Sequence, residues 1–468
     1  MNFLFLLDEI TLGQEPLGVT YIIALLRKNG INVDIWRYEK YSFEETLEFV
    51  KKFNPQIIAH HITTGAHYSH LDITQKLKKH INFISYFGGP HATFFPEFIE
   101  YDGVDVICRG EGEYPTLEFT EALNKGKDYT KIKNLWVKKD GKIYKNPCRP
   151  FLENLDALPF PDKEIVLNRC PHLKNGNLLY IIAGRGCPYN CNFCFNHVLR
   201  KLSPGKYVRW RSVDNVIEEI KWAKQFFHFE AVAFQDDTFI LNKEWLMEFA
   251  EKYPKEIGLP YLCHVRADLS TPDVVDALKR SGCIRVAIGV ESGDDEIRNK
   301  IMHKQITTEQ LLKAGELYNK AGIEILAQNL FAVPGETVET ALSTIELNIK
   351  MKIHCTVIHF FVPYPRTGLG EMAHKMGLYD VSVDNLPSSN HWGPVLKIKD
   401  SEVIGRIGHL IYLFVDYPWT FKIAKPILLK IKNNRFRILF LKFLEKLEKI
   451  LRKITRNPIG SRWHPYYM

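Results

Sequence analysis

Cys187-Pro188-Tyr189-Asn190-Cys191-Asn192-Phe193-Cys194 follows an apolar run and sets three thiols within eight residues. A cubane iron–sulfur cluster has four irons, and each takes a thiolate. Three cysteines in one short loop satisfy three irons and leave the fourth open to a small molecule. A structural zinc site closes its shell with a fourth ligand. No second cysteine pair stands at zinc spacing here. The other six cysteines (Cys108, Cys148, Cys170, Cys263, Cys283, Cys355) are scattered singly, a pattern that fits a reducing compartment and no disulfide framework. The reading is an open cluster, with Cys187, Cys191 and Cys194 as metal ligands and catalytic centre.

Outward from this loop, residues 178 to 370 alternate short apolar strands with helical stretches. Strands are expected at Leu179–Ala183, Ala231–Phe234, Tyr261–Val265, Arg285–Gly289, Glu324–Phe331 and Thr356–Phe361. Six strand–helix units imply a partial (β/α)6 TIM-like barrel. The cysteine loop follows its first strand, and such barrels place chemistry at the C-terminal ends of strands. Polar residues stand there in succession: Asp236 and Asp237, Arg266 and Asp268, Glu291 and Ser292, Pro334-Gly335-Glu336, then Pro363-Tyr364-Pro365 with Thr367. Each alone reads as a helix cap or a barrel ion pair. Polar groups at five successive strand ends read as a site.

Residues 1–140 carry the same alternation, with strands expected at Phe3–Leu7, Asn32–Trp36, Gln56–His60, Phe83–Phe87 and Val104–Cys108. A helix starts at Ser42, with Glu45 completing a capping box. The pattern implies an α/β fold, a doubly wound parallel sheet that binds ligands at the carboxyl ends of its strands. Gly88-Gly89-Pro90-His91-Ala92-Thr93 lies after the fourth strand and Arg109-Gly110-Glu111-Gly112-Glu113 after the fifth. A cofactor-free flavodoxin-like domain is the plainer alternative. Residues 141–177 read as a proline-containing linker.

The C-x3-C-x2-C loop with Phe193 before its last cysteine resembles the radical S-adenosylmethionine (SAM) enzymes. The Gly88-Gly89-Pro90-His91 and Arg109-Gly110-Glu111-Gly112 strings, with Pro16-Leu17-Gly18 before an amphipathic helix, resemble the Rossmann-like cobalamin-binding domain that precedes the radical domain in one large subfamily. The resemblance covers residues 1 to about 370. It implies a [4Fe-4S] cluster, SAM and cobalamin as cofactors, and a reducing partner such as ferredoxin or flavodoxin. It implies that Glu291 contacts SAM, with Ser292, Asp236 and Arg266, and that Phe193 packs near the adenine. For cobalamin it implies Gly88, Gly89, Pro90, His91, Gly110, Glu111 and Gly112, with Thr63 and Thr64 as further contacts. The chain departs from many cobalamin proteins in lacking a D-x-H-x-x-G string. The lower face of cobalt is therefore unassigned, with His60, His61, His67 and His70 as candidates.

The resemblance implies methylation of an unactivated carbon. A 5′-deoxyadenosyl radical would abstract hydrogen from the substrate, and methylcobalamin would supply the methyl group. Three alternatives stand beside it: oxidative cyclisation of a porphyrin- or lipid-type substrate, a radical SAM enzyme without cobalamin, and a non-catalytic carrier. Methylthiotransferases need three cysteines in the N-terminal domain, and only Cys108 precedes residue 148.

The net charge of +8 is concentrated at one end. Residues 420–456 hold twelve Lys or Arg and two Glu, which leaves the rest of the chain near −2. Residues 371–468 form a mostly helical C-terminal region. Within it Ile438, Leu441, Leu444, Leu447, Leu451 and Ile454 recur at helical spacing among lysines. Trp419, Phe421, Trp463, Tyr466 and Tyr467 flank the segment. The stretch 417–456 reads either as a membrane-surface helix or as a helix packed on the barrel with a solvated lysine face. Its apolar content is high for a phosphate-reading arm, so no nucleic acid is expected. His391-Trp392-Gly393-Pro394 is a candidate pocket loop. The N-terminus reads as a first strand and not a signal peptide. The expected location is cytoplasmic, with peripheral attachment to the inner membrane face as the variant.

Overall fold

The computed structural model describes residues 1–8, 15–169, 177–379, 386–387 and 393–455. His391, Trp392, Cys170, Trp463, Tyr466 and Tyr467 lie outside the described residues, as does the side chain of Ile454. The chain divides into two compact units. One comprises Met1–Ile182 with Val198–Phe229. The other comprises Ala183–His197 with Glu230–Leu386 and the C-terminal helices.

The first unit is built on a seven-stranded sheet. Its strands are β1 (Asn2–Leu7), β2 (Asn32–Arg37), β3 (Ile57–His61), β4 (Ile84–Gly88), β5 (Val106–Cys108), β6 (Leu135–Lys139) and β7 (Lys142–Lys145), in spatial order β2-β1-β3-β4-β5-β6-β7. β1 to β5 are parallel. These near-continuous apolar runs are buried on both faces, as a doubly wound sheet requires. The helix Phe43–Phe53 starts at the expected cap, where Ser42 and Glu45 form both hydrogen bonds of the capping box. β6 and β7 correct the sequence reading. They form an antiparallel hairpin that crosses the expected boundary at 140 and lies partly in the expected linker. Asp140 and Gly141 turn the chain with positive φ at both positions (51° and 72°), the geometry a two-residue hairpin favours.

The second pattern yields all six expected strands: β8 (Leu178–Ile181), β9 (Ala231–Phe234), β10 (Tyr261–Val265), β11 (Cys283–Glu291), β12 (Glu324–Phe331) and β13 (Cys355–Phe360). Within the second unit, β9 to β13 pair in chain order, all parallel. Helices of nine to fourteen residues connect them. This is the strand–helix repeat of a partial barrel.

Helices Ser401–His409, Ile411–Asp416, Pro418–Lys430 and Asn434–Thr455 follow. Leu441 and Leu444 are buried in a cluster with Phe331, Ala341, Leu342, Ile407 and Phe414, and Ile438, Leu447 and Leu451 pack against it. Burying a leucine is worth roughly 2 kcal/mol, so the two buried leucines, with three partly buried side chains beside them, hold the last helix on the unit. The stripe legible in the sequence is therefore a packing seam.

Candidate functional site

The cysteine loop is held by one residue between its cysteines. Asn192 donates its backbone N–H to Met302 O at 2.9 Å and its side-chain amide to Ile301 O at 3.1 Å. Its carbonyl accepts from Leu369 N at 3.0 Å. Asp236, buried at the end of β9, accepts from Ala183 N and Gly184 N just before the loop. Asp237 accepts from the Asn196 amide at 3.1 Å just after it. Asp236, which the resemblance implied as a SAM contact, and its neighbour Asp237 thus grip the two shoulders of the cysteine loop. Both oxygens of Asp236 carry a backbone donor, and burial raises its pKa to about 7.

Cys187, Cys191 and Cys194 are all partly exposed. Burial pushes the thiols of Cys187 and Cys194 up, Cys194 to about 11. Free, they hold their protons at neutral pH, and iron must displace those protons to bind. Among the described residues no three His, Cys, Asp or Glu groups converge on a single ion. A cubane does not ask for that, since each thiolate meets a different iron. Three part-exposed thiols on one anchored loop fit such a cluster.

The other strand ends come together through a residue the sequence reading missed. Lys304 Nζ lies 2.6 Å from Glu291 Oε1, both groups nearly buried, and 6.0 Å from the Phe193 ring centre. Lys304 O accepts from Arg266 at 3.1 Å. Arg266 stacks 3.4 Å over the Tyr189 ring and pairs with Asp268 at 3.0 Å. Phe193, Arg266 and Glu291 therefore share one cluster, with Lys304 at its centre and Tyr189 at its edge. Glu291 carries a left-handed φ of 62°, an uncommon conformation for a side-chain-bearing residue and one that clusters at functional sites. Gly289 makes room for the pair: a Cβ there would lie 2.3 Å from Lys304 Nζ and 2.4 Å from Glu291 Oε1. Ser292 is fully buried; its hydroxyl accepts from Asp294 N and its carbonyl from the buried Arg298. Thr367 is a helix cap.

Glu336, after β12, is buried with one oxygen accepting from Ala332 N and the other, Oε1, without a hydrogen-bond partner among the described residues. Burial raises its pKa from 4.5 to about 8. The folded value exceeds the unfolded one, so its protonated form favours folding. That contribution is full below about pH 4.5 and is lost as pH rises through about 8. Glu336→Gln is expected to flatten the pH dependence of stability across this window, by on the order of a few kcal/mol. Thermal unfolding of parent and variant against pH checks it; parallel curves would refute the assignment.

In the first unit the glycine loops close on a set of stacked imidazoles. Gly89 has φ 97°, and a Cβ there would meet Ile62 N and O at 2.9 Å. His91 lies 3.1 Å from Thr64 Oγ1 and stacks on His67 at 3.8 Å. Pro90 opens the short helix Pro90–Phe94. Gly110 donates to Thr93 Oγ1 at 3.0 Å, and a Cβ on Gly112 would lie 3.1 Å from Ile22. Gly88 faces open space on its Cβ side, and Thr63 O accepts from Ala66 N. Glu111 is a bidentate partner of Arg209 at 2.8 and 3.0 Å, so its carboxylate is committed within the unit. The cobalt-ligand candidates are also engaged. His70 spans Asp8 and His60, and His60 reaches Thr74. His67 accepts from Gly65 N. Burial holds His61 neutral, with a pKa of about 4.

Comparison with known proteins decides the family. The B12 binding domain signature matches residues 4–120, and the radical SAM superfamily signature matches 181–347. An uncharacterized methyltransferase of Pyrococcus horikoshii is 30% identical over 85% of this chain and 87% of its own length. The chain belongs to the radical SAM enzymes that carry a cobalamin-binding domain. It is an enzyme of that family, and its cofactors are a [4Fe-4S] cluster, SAM and cobalamin. The anaerobic magnesium-protoporphyrin IX monomethyl ester cyclase of Rubrivivax gelatinosus is 24% identical over 88% of this chain and 77% of its own. Among solved structures, OxsB with aqua-cobalamin and S-adenosylmethionine superposes with TM-score 0.68 at 17% identity, over 97% of this chain and 71% of that one. TsrM from Kitasatospora setae gives 0.64 at 18% identity, over 81% and 77%. These two share the fold. No helix among the described residues is long and apolar enough to cross a membrane.

Proposed function

We propose that the enzyme is a C-methyltransferase acting on an unactivated carbon of a small-molecule or lipid substrate, with electrons from a reducing partner such as ferredoxin or flavodoxin. The observation that carries it is the 30% identity, over 85% of the chain, to an uncharacterized methyltransferase. When bound, the three cofactors supply a hydrogen-abstracting radical and a methyl group. In this reading Cys187, Cys191 and Cys194 hold the cluster, and Asn192, Asp236 and Asp237 hold the loop. Glu291, fixed by Lys304, would offer its second oxygen to SAM as a hydrogen-bond acceptor. Arg266 positions Tyr189 and Lys304 through its stacking and hydrogen bond. Residues 1–140 hold cobalamin through the backbone at Gly88, Gly89, Gly110 and Gly112, with Thr63, Thr64, Pro90 and His91 alongside. Residues 178–370 carry the radical chemistry.

The cyclase relative favours a second reading, oxidative ring closure. A putative methylthiotransferase of Methanocaldococcus jannaschii, 27% identical over 84% of this chain, is also a relative, but methylthio transfer needs three cysteines in the N-terminal domain, and only Cys108 precedes residue 148, buried with its thiol pushed up to about 12.

The test is anaerobic turnover with methyl-deuterated SAM, a reductant and a cell extract as substrate source. Methylation is expected to give 5′-deoxyadenosine and S-adenosylhomocysteine in equal amounts, with label in a third molecule. Deoxyadenosine alone would favour cyclisation and overturn the methylation reading.

A further inference from the structure

The last helix, Asn434–Thr455, has a second apolar face. The first, Leu441 and Leu444 with their neighbours, is spent on the core. On the outside, Phe436, Leu439, Phe443 and Ile450 are 63%, 65%, 59% and 54% exposed. The remaining exposed residues among 434–453 are Arg435, Lys442, Lys446, Lys449 and Lys453. Every exposed side chain described on this helix is thus either a large hydrophobe or a cation. Positions 436, 439, 443, 446, 450 and 453 recur every three or four residues, so they share one face.

An ordinary solvated face mixes acids and small polar residues with lysines. Here both acids of the helix are drawn into ion pairs, Glu445 with Arg406 at 2.8 Å and Glu448 with Arg452 at 2.8 Å. Arg437 lies 3.5 Å from Asp400. Among the described residues no ion pair joins these outward cations to an acid of the helix. The preceding helix, Pro418–Lys430, repeats the pattern with Trp419 at 51% and Ile423 at 55% exposure beside exposed Lys422 and Lys430.

We infer that this face docks on an anionic lipid surface, with Phe436, Leu439, Phe443 and Ile450 entering the headgroup boundary and the lysines meeting lipid phosphates. The apolar residues match an interface, and the unopposed cations match its charge. A second copy of the chain fits less well, because a two-fold contact would set these cations against themselves. No described helix can span a bilayer, so attachment is peripheral. The inference is independent of which reaction the enzyme performs.

The experiment is flotation of the full-length, anaerobically purified protein with phosphatidylcholine vesicles, with and without phosphatidylglycerol. The parent is expected to float with the anionic vesicles and to fall away with added salt. The variant F436S/L439S/F443S/I450S is expected to lose about tenfold or more in binding. Its circular dichroism should be unchanged, since these side chains leave the core untouched. The variant K442Q/K446Q/K449Q/K453Q is expected to lose the preference for anionic lipid. Failure of the parent to float, or equal flotation of all three proteins, would overturn the inference. A parent dimer that the apolar variant breaks, with no vesicle binding, would reassign the face to a second copy.

Discussion

Cys191→Ala is expected to abolish formation of 5′-deoxyadenosine from SAM and to drop iron below four per chain. The expectation rests on how the loop is held. Its anchors are the three hydrogen bonds of Asn192 and the shoulder contacts of Asp236 and Asp237, and none involves the Cys191 side chain. Removing one sulfur therefore leaves the loop in place and removes one iron ligand. Two thiolates cannot hold a cubane in the site-differentiated form that SAM needs. The loss should exceed any that a positioning residue gives. Asn192→Ala keeps all three thiols and both backbone hydrogen bonds and removes only the side-chain bond to Ile301 O, so it should retain iron and lower the rate modestly. Iron content and deoxyadenosine yield under anaerobic reduction check both. Deoxyadenosine at the parent rate in Cys191→Ala would remove the cluster from this loop.

The strands were legible because period and apolarity agree over short runs. β9, β10 and β12 fall at the expected residues, and the ends of the other expected strands differ by no more than two residues. The hairpin β6–β7 was missed although its signal, Asp140-Gly141, stood in plain sight. Its strands are lysine-rich and one faces solvent, so alternation was weak. The cysteines were legible from spacing alone. Their support was not: Lys304 sits in an aperiodic loop thirteen residues from Glu291, and only the folded chain brings the two within 2.6 Å. Glu111 read as a cofactor contact because its glycine neighbours did; Arg209, ninety-eight residues on, claims its carboxylate. At the C-terminus the regular leucine stripe drew the reading. The less regular Phe436, Leu439, Phe443 and Ile450 show only once the stripe is seen to be buried.

Gly89→Val is expected to lower cobalt per chain several-fold while iron stays near the parent value. Two effects act together. Gly89 has φ 97°, a conformation that costs a side-chain-bearing residue about 1–3 kcal/mol. Its Cβ would also stand 2.9 Å from both Ile62 N and Ile62 O and 3.0 Å from His61 Nδ1. The first two are backbone atoms held by hydrogen bonds on either side of Gly89, since Ile62 N donates to Gly88 O at the end of β4 and Ile62 O accepts from His91 N in the short helix after it. They cannot rotate away. The loop must lift, carrying Pro90 and His91 with it and parting His91 from Thr64 and His67. Gly88 is the control: a Cβ there meets nothing within 4 Å, so Gly88→Ala tests crowding of the ligand rather than of the loop. The cluster loop belongs to the other compact unit, so iron reports whether damage stays local. Loss of both metals would mean general misfolding. Unchanged cobalt in Gly89→Val would take this loop out of the cobalamin site.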